Sequence, residues 1–506
     1  MNNSRIENTK RNIIVSYISV VITFILSFVY RTVMLKFLGS EYLGLSSLFV
    51  SILSVLNMAE LGFAGAIVFN MYKPLAENDT DTVCMLLGYY RKIYGIIGIT
   101  ILIVGVAITP LIPQIITGKV PVDINLYVLY LLYLINTSIS YFLFAYKNSL
   151  LEALQRMDLI KIVSIIVNIL QYLIQILSII VLKNFYIVVI VQILCTAISN
   201  VVIGRLTSIK YPQYKCKRGL STKTINDIKV RVKGLMICKV SGITYTTFDS
   251  IIISAFIGLQ SVAIYNNYLV IFNALSSVIL MLRNAMQASV GNSIASENKN
   301  KNYQNLILWQ YMFSFIATIC GTCLLCLYQP FMKVWMGEQM LLPMCDVILI
   351  CIWFFVTVIQ HSYYLYLTGA GLWWEMRNSY IFSTIFNIVC NFILGKIFGI
   401  TGIILSTLLA QIIFGLIWQS NIIFREYFDS SIIPFAKKQM KYFMIMGIVC
   451  IFTYFVSSKI NIQGWIGLIV KAVVSILLST ILSFLLYQKI EEFYDAKILF
   501  KRVLKR

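Results

Sequence analysis

The chain alternates long apolar runs with short polar joints, and the runs are long enough to predict membrane-crossing helices. A helix crossing the hydrocarbon layer needs about 20 apolar residues. Fourteen runs qualify: 13–38, 43–71, 93–112, 125–146, 160–182, 185–204, 233–257, 263–290, 304–328, 347–369, 379–397, 400–423, 442–457 and 463–487. The shortest is 442–457, and the tightest joint is Lys183-Asn184. The runs are continuous rather than alternating, which excludes an outer-membrane barrel. The first run is too long for a signal peptide and has no clear cleavage signal, so it reads as the first span.

The positions of the charges orient these spans. With the N-terminus inside, 32 Lys and Arg fall on the inner side, 6 on the outer side and 3 within spans. Positive charge is retained on the cytoplasmic side, so this asymmetry predicts an even number of spans with both termini in the cytoplasm. The longest inner segment, 205–232, reads as a connector between two halves. Outer loops are short and leave no room for an extracellular domain.

Slid against itself by 219 residues, the chain repeats. Leu38-Gly39 falls on Ile257-Gly258, Phe49 on Tyr268, Ser164 on Ser383, Asn168 on Asn387 and Gln192 on Gln411. Each unit has six helices, so both enter the membrane in the same direction, as a parallel repeat. The expected fold is therefore all-α and integral to the membrane: fourteen transmembrane helices, as two pseudo-symmetric six-helix lobes plus two C-terminal helices. The predicted division is 1–204 for the N-lobe, 205–232 for the cytoplasmic connector, 233–424 for the C-lobe, and 425–506 for the last two helices and a cytoplasmic tail. Two lobes around a central cavity suit alternating access.

Composition agrees and narrows the chemistry. Of 506 residues, 59% are apolar and 12% charged, which excludes a soluble enzyme, a disordered chain and a secreted disulfide scaffold. The net charge of +21 would suggest nucleic acid in a soluble protein, but here it follows from the cytoplasmic excess and from attraction to anionic membrane lipids. No nucleic-acid partner is implied. Cys320, Cys323 and Cys326 lie in an apolar run without a nearby fourth ligand, and the chain has one histidine, so no metal site is expected. No phosphate-binding loop is present and no cofactor is implied.

The candidate chemistry lies in the few polar residues within spans. A charge at the bilayer centre costs about 2.5–3.5 kcal/mol, so such residues face a cavity or a partner. Arg31 lies in the first span, Glu60 in the second, Asp249 in the seventh and Arg283 in the eighth. Arginine suits a phosphate because its planar donors bind two oxygens at once. Arg31 and Arg283 are therefore candidates for an anionic substrate. Glu60 and Asp249 either pair with those arginines or bind a coupling cation. His361 either titrates for coupling or hydrogen-bonds a neighbouring helix. Asn168, Asn387 and Asn267 either line the cavity or join helices. Lys239 snorkels from its helix end. Tyr363, Tyr364 and Tyr366 stack on sugars or form an interfacial belt.

Ordered motifs carry a resemblance. Arg31-Thr32, Leu38-Gly39, E-Y-L-G-L-S-S-L-F from Glu41, A-E-L-G from Ala59 and Y-K-P-L-A-E-N-D from Tyr72 are followed by D-S-I-I-I-S-A-F-I-G-L from Asp249, Y-N-N-Y at 265–268, S-V-G-N at 289–292 and G-L-W-W-E-M-R-N from Gly371. In this order, over the first twelve predicted helices, they resemble the bacterial polysaccharide transporter family. These are the lipid-linked oligosaccharide (O-antigen) flippases of the multidrug/oligosaccharidyl-lipid/polysaccharide exporter superfamily. Glu375 departs from the family, whose members often have Asp there.

The resemblance implies a non-enzymatic carrier in the bacterial cytoplasmic membrane. Its substrate would be an undecaprenyl-diphosphate-linked glycan, moved from the inner to the outer leaflet. It also implies a cationic cavity fitting Arg31 and Arg283, carries over Glu60 and Asp249, and suggests function as a monomer beside a polysaccharide polymerase and glycosyltransferases. Two alternatives stay open: a cation-coupled drug antiporter of the same superfamily, and a membrane polymerase or glycosyltransferase. The enzyme would need charged outer loops, whereas the outer acids are only Glu41, Asp123, Glu338 and Asp346.

Overall fold

In lipid the backbone has no water to bond, so each apolar run must satisfy its amides internally, as a helix. The computed structural model shows this throughout. It describes the backbone of residues 2–60 and 63–504; the side chains at 1–10, 13, 59, 64, 223, 227, 230, 231, 233–235, 237–246, 288 and 499–506 are not described. Among the described residues 87% of the chain is helical and there are no strands. Twelve helices are long and apolar enough to cross a membrane, or thirteen when the bent pair Leu126–Phe142 and Tyr146–Ala153, angled at 51°, counts as one span. The seventh predicted span, 233–257, falls on the helix Thr222–Phe256, which includes the apolar stretch Thr247–Phe256. Lys239 lies outside the described side chains.

The chain forms two compact units, 1–263 and 264–506. The first contains α1 (Asn2–Phe37), α2 (Ser40–Asn57), α3 (Phe63–Ala76), α4 (Thr80–Ile108), α5 (Leu126–Phe142), α6 (Tyr146–Ala153), α7 (Met157–Leu182), α8 (Phe185–Lys210) and α9 (Thr222–Phe256). Here α1 packs on α7, α4 on α5, and α5 on α8. The predicted division assigned α9 to the second lobe, yet α9 packs on α2 and α3 of the first unit. Its end is pinned there: Thr117 N donates to Ser254 O at 3.1 Å, and Thr117 Oγ1 donates to Ala255 O at 2.6 Å.

The second unit contains most of α10 (Leu259–Ser296), then α11 (Lys299–Met336), α12 (Met344–Gly369), α13 (Trp373–Phe398), α14 (Ile400–Ala410) and α15 (Ser420–Ile423). It ends with α16 (Ile433–Ser458), α17 (Gly464–Tyr487) and α18 (Glu492–Leu504). π-helical turns, Gln411–Gln419 and Phe424–Phe428, flank α15 and keep this segment continuous as one span. The central helix is α11, which packs on α12, α16 and α17. Small residues make the close approach possible. Thr322 Oγ1 meets Cys450 Sγ at 3.2 Å, Cys323 Sγ meets Ser479 Oγ at 3.7 Å, and Ser475 Oγ donates to Ser457 Oγ at 3.4 Å. The last two spans thus clasp α11, and the cysteines serve as small packing residues.

The repeat is visible in the backbone. Helix α1 ends at Phe37 and α2 begins at Ser40; 219 residues on, α9 ends at Phe256 and α10 begins at Leu259. Between them stand Gly39 with φ 117° and Gly258 with φ 123°. A side chain is strained at such φ, so the two joints need glycine. Helices α4 and α11 start at Thr80 and Lys299, again 219 apart.

Candidate functional site

In the first unit, Arg31 lies half-buried in the wall of a cavity of about 160 Å³. The wall is polar in a regular way. Helix α7 presents Gln171 and Gln175, with Tyr172 between them, and α8 adds Gln192. Residues three and four apart share a helix face, so Ser164, Asn168, Gln171 and Gln175 form one stripe along α7. The remaining polar lining is Ser27, Tyr30, Ser46, Ser47 and Tyr133; no carboxylate is among the lining residues. Packing and hydrogen bonds hold this wall in place. Gln175 Nε2 donates to Val188 O at 2.9 Å, Tyr133 OH donates to Ser46 Oγ at 2.9 Å, and the Tyr30 and Tyr172 rings meet edge-on at 5.5 Å. The wall thus places one guanidinium among amides and phenols.

Glu60 lies apart from Arg31's cavity lining. It stands on the single turn Met58–Glu60 that breaks the second span. Its carboxylate accepts from Tyr94 OH and from Tyr141 OH, the latter at 2.7 Å, and Tyr141 OH also donates to Asn57 Oδ1 at 3.1 Å. Two phenols thus anchor this carboxylate. Asp249 is fully buried in α9 with Ser250 and Ser254. Of the two readings of Glu60, pairing with an arginine or binding a coupling cation, the first does not describe these bonds, whose donors are tyrosines.

In the second unit, Arg283 is held from two sides. Its guanidinium carbon lies 4.7 Å above the Tyr364 ring, and Nη1 is 3.4 Å from His361 Nδ1. Nη2 donates to Asn284 Oδ1 at 3.4 Å. His361 is itself buried, edge-on to Phe313 at 5.8 Å. The structure therefore unites Arg283, His361 and Tyr364, which the sequence left as separate candidates. Tyr363 and Tyr366 turn into the core instead, and Tyr363 OH donates to Gly415 O at 2.8 Å. Neither an interfacial belt nor a row of sugar platforms describes that run.

The asparagines divide. Asn168 is half-buried on the α7 stripe. Asn387 is fully buried, and the expectation that it lines a cavity is corrected: its Nδ2 donates to Thr407 Oγ1 at 2.9 Å, and its Oδ1 accepts from Asn391 Nδ2 at 3.3 Å. That amide joins α13 to α14. Asn267 is also fully buried and lies among core residues rather than on an open wall. Sequence reading missed Gln171, Gln175 and Tyr172. The signal was there in the spacing 164, 168, 171, 175, a polar stripe within an apolar run.

Comparison with known proteins places this geometry. A family model described as a polysaccharide biosynthesis protein matches residues 9–290. No curated protein matches by sequence. Among solved structures, the lipid II flippase MurJ in an inward closed conformation is similar at TM-score 0.65 and 16% identity, covering 94% of this chain and 99% of that one. An inward-facing multidrug resistance MATE family transporter of the MOP superfamily is similar at TM-score 0.64 and 15% identity, covering 79% and 94%. The eukaryotic MATE transporter AtDTX14 is similar at TM-score 0.59 and 12% identity, covering 84% and 97%. At these identities the likeness is one of fold.

Proposed function

The chain belongs to the polysaccharide biosynthesis protein family, a multi-pass membrane protein with a transporter fold, and from that premise we propose that it flips a lipid-linked glycan across the cytoplasmic membrane. The substrate is an oligosaccharide on undecaprenyl diphosphate, moved from the inner to the outer leaflet by alternating access. The product feeds a polymerase making a cell-surface polysaccharide (capsule, O-antigen or exopolysaccharide). Both termini lie in the cytoplasm, as the distribution of Lys and Arg supports. No step of covalent chemistry is assigned to the protein.

The observation that carries this reading is the Arg31 cavity, with one guanidinium, amides and phenols and no lining carboxylate. A diphosphate and its sugars cannot cross about 30 Å of hydrocarbon unaided, whereas a polyprenyl tail can stay in it. Arg31 supplies paired donors for phosphate oxygens, and Gln171, Gln175 and Gln192 supply donors and acceptors for sugar hydroxyls. Binding through one arginine and neutral amides also leaves the anion free to depart on the other side. A carrier of organic cations would instead need a carboxylate in this wall, so the antiporter reading is the weaker one.

The test is reconstitution into liposomes with fluorescent lipid-linked oligosaccharide in the inner leaflet. Wild type exposes the label to an external quencher, and Arg31→Ala does not while retaining its helical circular dichroism. Wild-type flipping by a folded Arg31→Ala variant would overturn the assignment.

A further inference from the structure

The first unit holds a second polar hollow, at the ends of its helices rather than in their middle. Arg91 of α4, Lys147 of α6 and Lys215 of the segment after α8 line a cleft of about 340 Å³, together with the hydroxyls of Ser208 and Tyr214. On the other side of Arg91 a wider hollow of about 820 Å³ adds Lys92, Lys217 and Arg218. No carboxylate lines either one. Lys217 pairs with Asp81 at 2.5 Å. The other five cations form no ion pair among the described residues.

This crowding of like charge is built in, not left to mobile side chains alone. The segment after α8 is fastened to α4: Lys217 N donates to Cys84 O at 3.0 Å, and Lys215 N donates to Cys84 Sγ at 3.3 Å. The approach is so close that a β-carbon at Gly88 would strike the Lys217 carbonyl. Lys147 Nζ donates to Gly204 O at 3.0 Å and to Ser208 Oγ at 2.5 Å, which fixes the ammonium and leaves one of its three protons to offer. Depth matters too. Arg91 and Lys92 directly precede the apolar run 93–112, and Lys147 directly follows 125–146, which is the level of lipid headgroups. Cations gathered at that level, with Asp81 as the acid paired to one of them, repel one another until an anion joins them.

We propose that this cleft binds a phosphate-bearing anion, presented by the headgroup of a membrane lipid. Arg91 supplies the paired donors, Lys147 and Lys215 the flanking charge, and Tyr214 and Ser208 neutral donors at the wall. The site is separate from the Arg31 cavity, and its occupant need not be the glycolipid that is flipped.

The full-length protein in detergent is mixed with phosphatidic acid or phosphatidylcholine, and retained lipid is counted by native mass spectrometry. Wild type retains phosphatidic acid in preference to phosphatidylcholine. Arg91→Gln combined with Lys215→Gln, both exposed positions, weakens retention about twentyfold, from roughly fivefold per cation. Lys147→Gln serves as a second variant should the first unfold. Lys437→Gln with Lys441→Gln, outside the cleft, leaves retention unchanged. Inorganic pyrophosphate is the second arm: displacement of the lipid by it supports phosphate as the group recognised. Binding of pyrophosphate without any retention of phosphatidic acid overturns the lipid assignment. Equal retention by wild type and both cleft variants overturns the site. No glycolipid is present, so failure here leaves the flipping test untouched.

Discussion

Arg31 and Arg283 are two intramembrane guanidiniums, one in each compact unit, and their surroundings are built on different principles. Arg31 stands in a cavity wall with glutamines, phenols and serine hydroxyls. Arg283 is covered by a ring on one face and an imidazole at its edge. The same contrast separates two pairs that the repeat makes equivalent. Asn168 lies on an accessible polar stripe, while Asn387 is locked between α13 and α14. Gln192 lines the Arg31 cavity, while Gln411 opens a π-helical turn and accepts on its backbone carbonyl from Gln360 at 3.1 Å. In the first repeat these polar groups stand in or beside a cavity wall; in the second they hold helices together. A duplicated fold can thus divide binding and structure between its halves.

The contrast breaks first at Arg31. Arg31→Ala lowers the flipping rate in liposomes by about a hundredfold, the worth of a charged hydrogen-bond pair, with no change in thermal unfolding. Arg31→Lys restores part of the rate, because a lysine keeps the charge but not the paired donors. A matching rate for Arg31→Ala and wild type would place both arginines in the structural class.

Next come the anchored groups. Tyr141→Phe removes a donor from Glu60 and lowers stability by about 2 kcal/mol in detergent unfolding. In the second unit, Tyr364→Leu lowers it by about 2 kcal/mol through loss of the cation–ring contact, whereas Tyr364→Phe keeps the ring and stays within about 0.5 kcal/mol. Equal effects of Leu and Phe at 364 would show that the ring does not hold Arg283.

The repeat mates sharpen the comparison at smaller scale. Asn387→Ala costs about 1 kcal/mol by unfolding, as interhelical bonds in membranes do. Asn168→Ala changes stability by less than about 0.5 kcal/mol but slows flipping. The reverse ranking would undo the assignment of roles. The smallest effect is at the fastening of the segment after α8. The Asp81 carboxylate accepts a hydrogen bond from Lys217 and raises its pKa above the ordinary 10.5. While Asp81 is ionised, that pair therefore contributes fully below the ordinary lysine value, and its contribution is lost as pH rises through the raised value. In Asp81→Asn the loss of stability between pH 9 and 12 is shallower than in wild type, measured by unfolding across about that range.

Much of this architecture was legible beforehand, and for a definite reason. The apolar runs lie on helical segments, though 43–71 and 125–146 are each broken between two helices, since an apolar run in lipid has no other way to satisfy its backbone. The joints at Gly39 and Gly258 were legible as one repeated element, because a positive φ restricts the residue locally. The side-chain partnerships were harder. In the sequence Glu60 reads either as a partner for an arginine or as a ligand for a coupling cation, whereas its carboxylate, on the turn Met58–Glu60, accepts from Tyr94 and Tyr141. Nothing local in the sequence announces that turn. The assignment of α9 to the second lobe followed the repeat, whereas its packing is to α2 and α3 and its end is bonded to Thr117.

By itself, then, the sequence determined the helical segments and their duplication, and the few polar residues that must be sheltered from lipid. Those follow from hydrophobicity and backbone geometry, which act within a single segment. Tertiary structure alone decided which sheltered residue faces a cavity and which joins two helices. That choice depends on the rotation of each helix against its neighbours, and side chains far apart in the chain set it together.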